Sequence, residues 1–153
     1  MRPIAFLALP LVVAACAAPI APSSGPMAQG GMAANWTLGP DGRRAVLPAT
    51  GDSPQVSIAC ETSATGSPAP VWTVASPAPD GAGEILRIAS SGFSSALGMT
   101  GVGGVWRGAV ALDDASRQVL RDGSGPVTFT LRSGVSATAA NAGPALDIYA
   151  SCS

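Results

Sequence analysis

The chain has 153 residues, 47% of them hydrophobic but only 5% aromatic and 11% charged, with eight Lys+Arg against nine Asp+Glu and no histidine. Every cation is an arginine. That excludes Ser-His-Asp and Cys-His nucleophile systems, His-bearing zinc sites, Ser-Lys dyads, Schiff-base lysines and P-loop lysines, while a net charge of −1 leaves nucleic acid an unlikely match on electrostatic grounds.

In chain order, the first element is an apolar run from Ile4 to Val13 behind Met1 and Arg2. It is too short to span a bilayer as a lasting helix and ends in small residues, which predicts a secretory signal over residues 1–15 rather than part of the fold. The tetrapeptide Val13-Ala14-Ala15-Cys16 resembles the lipobox of bacterial lipoproteins. The resemblance implies that Cys16 carries a diacylglycerol thioether, which only cysteine can form, and becomes the mature N-terminus. With Ala17 rather than an acidic residue next, it further implies a lipid anchor in the outer membrane, facing the periplasm. Acyl chains contribute about 0.8 kcal/mol per buried methylene, so two or three of them hold a protein without a transmembrane helix.

Residues 17–34 read AAPIAPSSGPMAQGGMAA, without charge or periodicity. With Cys16 they form a predicted flexible tether over 16–34, spanning roughly 20–25 Å as a coil. Residues 35–153 then make one domain with one core. Without Arg2 its balance is seven cations against nine anions, a net charge of −2.

Strand signals dominate this domain. Asn35 to Leu38 and Arg44 to Leu47 flank Gly39-Pro40-Asp41-Gly42 and predict a hairpin. Gln55 to Cys60 alternates, with Val56, Ile58 and Cys60 inward. Further strands are expected over Ala69–Ala75, Glu84–Ser90 with Leu86 and Ile88 inward, Phe93–Met99, and Val105–Leu112 around Gly108. The cluster Gly98, Gly101, Gly103 and Gly104 lacks the Lys-Ser/Thr and the helix of a phosphate loop and is expected as a loose hairpin loop. Asp114 is placed to cap a short helix ended by Gly123. Strict alternation resumes from Pro126 to Arg132, Ser136 to Ala139 reads as an edge strand, and Ala145 to Ser151 reads as a last strand or a short helix opened by Pro144, with helix favoured. The fold class expected is mainly β: a small antiparallel barrel or sandwich of six to eight strands with one or two short helices.

With Cys16 lipidated, Cys60 and Cys152 are an even pair in an exported domain, which predicts a disulfide. They lack the Cys-x-x-Cys spacing of redox centres. Asp113 and Asp114 are the closest carboxylates and read as cap residues rather than an acid-base pair. No catalytic residue, metal site or cofactor is therefore expected. Trp36, Trp72 and Trp106 fill a core or line a groove, and Arg43-Arg44 mark a hairpin tip suited to anionic envelope polymers. Arg43, Arg44 and Trp72 are accordingly the candidate binding surface.

The order Trp36, Asp41-Gly42-Arg43-Arg44-Ala45, Val56-Ser57-Ile58-Ala59-Cys60, a β-rich middle and a terminal Cys152 resembles small uncharacterised lipoproteins of alphaproteobacteria, which also pair an early strand cysteine with a C-terminal one. A second resemblance is to periplasmic lysozyme-inhibitor lipoproteins, small anchored β-barrels closed by a disulfide. The function expected is a non-catalytic envelope lipoprotein that binds a protein or a wall component such as peptidoglycan. The alternatives are an inhibitor of a lytic enzyme or protease, acting through a protruding loop at Gly98–Gly104 or Ser76–Gly83, and a carboxylate-based hydrolase.

Overall fold

The first turn sets the pattern that the rest of the chain repeats. The Gly39 N–H reaches the Arg44 carbonyl at 2.7 Å, Gly42 takes φ +65°, and Asp41 Oδ1 accepts the Arg43 N–H at 3.0 Å. This closes β1 (Thr37–Leu38) onto β2 (Arg44–Leu47). The computed structural model describes residues 32–63 and 65–152; the expected signal over 1–15, Cys16 and the tether through residue 31 lie outside the described residues.

Along the chain follow β3 (Val56–Thr62), β4 (Pro68–Ala78), β5 (Gly83–Ser90), β6 (Phe93–Val102), β7 (Gly104–Ala109), α1 (Ala115–Asp122), β8 (Val127–Leu131), β9 (Ser136–Ala139) and α2 (Gly143–Ser151). The nine strands form one antiparallel sheet, ordered β1-β2-β3-β4-β7-β6-β5-β8-β9, curled into a half-barrel. The expectation of a mainly β antiparallel fold with two short helices holds, with one strand more than the upper count. The ninth is the two-residue β1.

β4 is central, yet it carries Pro68, Pro70 and Pro77. Its pairing with β7 begins only at Val71, so the first two prolines have a strand on one side alone, and Pro77 falls where the register shifts between Val74 and Ala78. These are the edge and bulge positions at which a missing N–H breaks no ladder. Past the bulge the chain runs through Pro79–Ala82 around the tip of the β6–β7 hairpin: Gly81 N–H donates to the Gly101 carbonyl and Gly101 N–H to the Ala82 carbonyl, both at 2.9 Å.

The glycine-rich segment corrects one expectation. Gly98 and Gly101 lie within β6, and the turn is only Gly103-Gly104, both at positive φ as a two-residue hairpin of this hand requires. Gly101 has a steric reason, since a Cβ there would collide with the Pro79 carbonyl oxygen. β7 also stops at Ala109, leaving Val110 and Leu112 outside the strand and half-buried.

Asp114 caps α1 as expected, accepting the Ser116 N–H at 2.8 Å. Gly123 ends it in extended backbone, where a side chain would strike Ser90 of β5. α2 is a helix, with Pro144 in its first turn. α1 packs on β5, β6 and α2, and α2 on β2 and β3, so both helices fill the concave face of the sheet. There Val56, Ile58, Trp72, Leu86, Ile88 and Phe129 are buried with Val119, Leu120, Ile148 and Tyr149.

The Cys60–Cys152 disulfide ties β3 to the end of α2 across 92 residues, with a Cα–Cα distance of 5.4 Å. The chain just ahead of β1 also reaches the opposite edge strand. Ala34, just ahead of β1, donates to Thr138 O and accepts from Ala140 N–H, each at 2.9 Å, and Trp36 Nε1 donates to Asn141 O at 2.8 Å.

Candidate functional site

Most of the acidic side chains hold structure. Asp80 Oδ1 accepts the Gly103 N–H at 2.8 Å, fastening the β4–β5 connection to the β6–β7 turn. Glu84 accepts the N–H groups of Ile85 at 2.8 Å and Ser133 at 3.3 Å, and the Ile85 bond holds its carboxyl below the usual value against a smaller opposing effect of burial. Glu61 pairs with Arg107 at 2.5 Å and Asp122 with Arg121 at 2.7 Å. Of the adjacent acids, Asp114 is engaged at the α1 cap while Asp113 and, on α2, Asp147 are exposed. Glu84, Asp114 and Asp147 thus stand on three different elements. Among the described residues no three His, Cys, Asp or Glu side chains gather as a metal site, and no helix is long and apolar enough to cross a membrane.

The sequence-expected surface divides. Arg43 and Arg44 are exposed beside the first turn, and neither joins a salt bridge among the described residues. Arg43 Nη2 lies 3.6 Å from Cys60 Sγ, so the guanidinium rests against the disulfide. Trp72 does not belong with them. It is fully buried, its ring 5.3 Å from that of Phe129, with Nε1 donating to the Tyr149 hydroxyl at 3.2 Å. On the inward face of central strand β4, alternation with Val74 places it in the core. Trp106 is buried as well, and Trp36 packs edge-on to Phe129 at 5.8 Å.

Of the two expected protruding loops, Gly98–Gly104 is mostly strand and Ser76–Gly83 is half strand, with Pro79–Ala82 as its loop. Ser76–Ala78 belongs to β4 and Gly98–Val102 to β6, and what remains of each is bonded to the other through Asp80, Gly81 and Gly101.

A different face presents two open hollows, the first mainly polar and the second mainly apolar in its lining, that residue-by-residue reading missed. On the outer side of β6, β5 and β8, Arg87 stands opposite Ala96 on one neighbour and Thr130 on the other. One hollow of about 380 Å³ is bounded by Arg87, Phe93, Ser94 and Thr128 beside the two-residue turn Ser91-Gly92. A second of about 330 Å³ is bounded by Arg87, Thr130, Arg132 and Ile85. Arg87 is common to both, and its Nη2 touches Ser94 Oγ at 3.3 Å. Phe93 is 48% exposed, one of the few large apolar side chains left in solvent. The signal existed in the alternation: Arg87, Thr128 and Thr130 are outward residues of strands whose inward residues were assigned, and Arg132 follows in the turn after β8. What could not be seen is that β5 pairs with β8 across 40 residues and makes them neighbours.

No family model matches the chain, and neither curated proteins nor solved structures give a match.

Proposed function

We propose that this chain is a non-catalytic envelope lipoprotein, anchored through Cys16 and acting by binding a wall component or an envelope protein. The observation that carries this reading is the division of labour among its charges. Six of the nine carboxylates are occupied by backbone N–H groups or an arginine, whereas Arg43, Arg44, Arg87 and Arg132 are exposed without an ion pair among the described residues. The occupied carboxylates serve caps, turns and ion pairs, and exposed guanidinium groups recognise anions.

The exported protein, purified from membranes in detergent, should sediment with isolated sacculi or crosslink to an envelope protein, while releasing no muropeptides and hydrolysing no peptide or ester. Cys16→Ser should abolish acyl labelling and release the chain from membranes. Turnover that disappears in a folded Asp113→Asn, Asp114→Asn variant would overturn the binding reading; a Cys16→Ser chain that still labels and sediments with membranes would overturn the anchor.

A further inference from the structure

The two hollows on the outer face of β5 share one guanidinium, and that sharing defines a ligand. Arg87 stands between them, with Phe93 at the far side of one and Arg132 at the far side of the other. Arg132, in the turn just past the end of β8, donates its N–H to the Ile85 carbonyl at 3.0 Å, while Thr130 within β8 is the partner of Arg87. The two arginines therefore both border the second hollow, one from β5 and one from the turn after β8.

Among the described residues no acidic side chain bounds either hollow. The nearby carboxylate of Glu84 accepts from the N–H groups of Ile85 and Ser133. The hollows lie at the small end of the cavity range for small molecules, about 300–1,000 Å³. Each suits one ring-sized unit. Ser94, Thr128 and Thr130 supply hydroxyls that both donate and accept, matching a polyhydroxylated ring, and the half-exposed Phe93 offers a flat apolar face to its C–H side. A guanidinium between two such units pairs most specifically with a planar carboxylate.

We infer that this face binds a carboxylated oligosaccharide, two adjacent sugars occupying the hollows with an acid group on Arg87 and a second within reach of Arg132. This rests on the binding reading above and names its site and ligand class.

The test titrates the detergent-purified protein with tetragalacturonate as probe, alongside maltotetraose of equal length and an Asp/Glu-rich peptide of equal charge. Tetragalacturonate should bind, weaken with added salt because the site is exposed, and shift the amide resonances of β5 and β8. Arg87→Gln should weaken it about ten- to a hundredfold, as removal of a charge-assisted contact does. Phe93→Ala should weaken it less, and Arg121→Gln, an equal charge change on α1, should leave it unchanged.

Equal affinity for maltotetraose would overturn the carboxylate, and tighter binding of the peptide would overturn the sugar. Resonance shifts confined to Arg43 and Arg44 would overturn the site. Failure of tetragalacturonate to bind while sedimentation with sacculi persists would overturn this inference alone; loss of both would remove the binding reading as well.

Discussion

Trp72, Tyr149, Ser116 and Asp114 form a single line of hydrogen bonds from the middle of the core to the cap of a helix. Ser116 Oγ donates to Asp114 Oδ1 at 2.5 Å, so at 2.7 Å from Tyr149 it accepts the phenolic proton, and Tyr149 in turn accepts from Trp72 Nε1. Each buried donor finds an acceptor and the line ends on a carboxylate, an arrangement that a low-dielectric interior favours only when complete. Burial pushes the Tyr149 hydroxyl above its ordinary value, opposed by its bonds to Ser116 and Trp72. Tyr149→Phe should therefore destabilise the fold by about 1–3 kcal/mol, because it strands the buried Trp72 N–H. Urea unfolding checks this, and a loss below about 0.5 kcal/mol would contradict the role given to the line. Only its last link was legible in the sequence, where Asp114 reads as the cap of a short helix. Alternation marks Trp72 as apolar and inward, but its partner lies 77 residues away on a helix whose existence was itself left open. Once that partner is supplied, the tryptophan loses its place on the binding surface.

At the scale of elements, the hairpins formed by β5, β6 and β7 show why composition misleads about glycine. A cluster of four glycines reads as slack chain, yet only Gly103 and Gly104 turn, while Gly101 makes room for another strand's carbonyl. Gly108, one strand over, does the same: a Cβ there would lie 2.7 Å from the Gly98 carbonyl oxygen and 2.8 Å from Leu97 Cδ1. Gly98 faces open space at ordinary backbone angles. The three positions should separate cleanly under substitution by alanine. Gly101→Ala and Gly108→Ala should each cost about 1–3 kcal/mol through forced backbone displacement, while Gly98→Ala should leave stability unchanged or raise it by up to about 1 kcal/mol. Equal losses at all three in thermal unfolding would mean that strand propensity, not close approach, governs these sites. Alternation found the strands themselves because each presents one face to a single core, so Leu86, Ile88, Val127, Phe129 and Leu131 are inward as their period requires. Strand ends were less legible, since nothing local distinguishes a glycine that turns from one that yields space.

For the whole molecule, the pairing of Cys60 with Cys152 was legible because two cysteines in a domain permit one connectivity. The sheet order was not, because β4 and β5 are joined by only four residues yet lie apart with the β6–β7 hairpin between them. The disulfide matters because of what it fastens. α2 packs on β2, β3 and α1 and carries Ile148, Tyr149 and Cys152 into the core, but its N-cap residue Ala142 makes no side-chain bond. Its docking therefore relies on packing, on the Tyr149 hydrogen bonds to Trp72 and Ser116, and on the cross-link. On the chain-entropy account, closing a loop across 92 residues stabilises the fold by roughly 4–5 kcal/mol, an upper value because residual structure in the unfolded chain reduces it. Cys60→Ala with Cys152→Ala should lower the free energy of unfolding by several kcal/mol toward that value. Its loss should be felt unevenly: amides of α2 should exchange with solvent faster, while those of β4 and β7 at the centre of the sheet keep most of their protection. A double variant within about 1 kcal/mol of the parent, with α2 protected as before, would show that packing alone holds the helix in place.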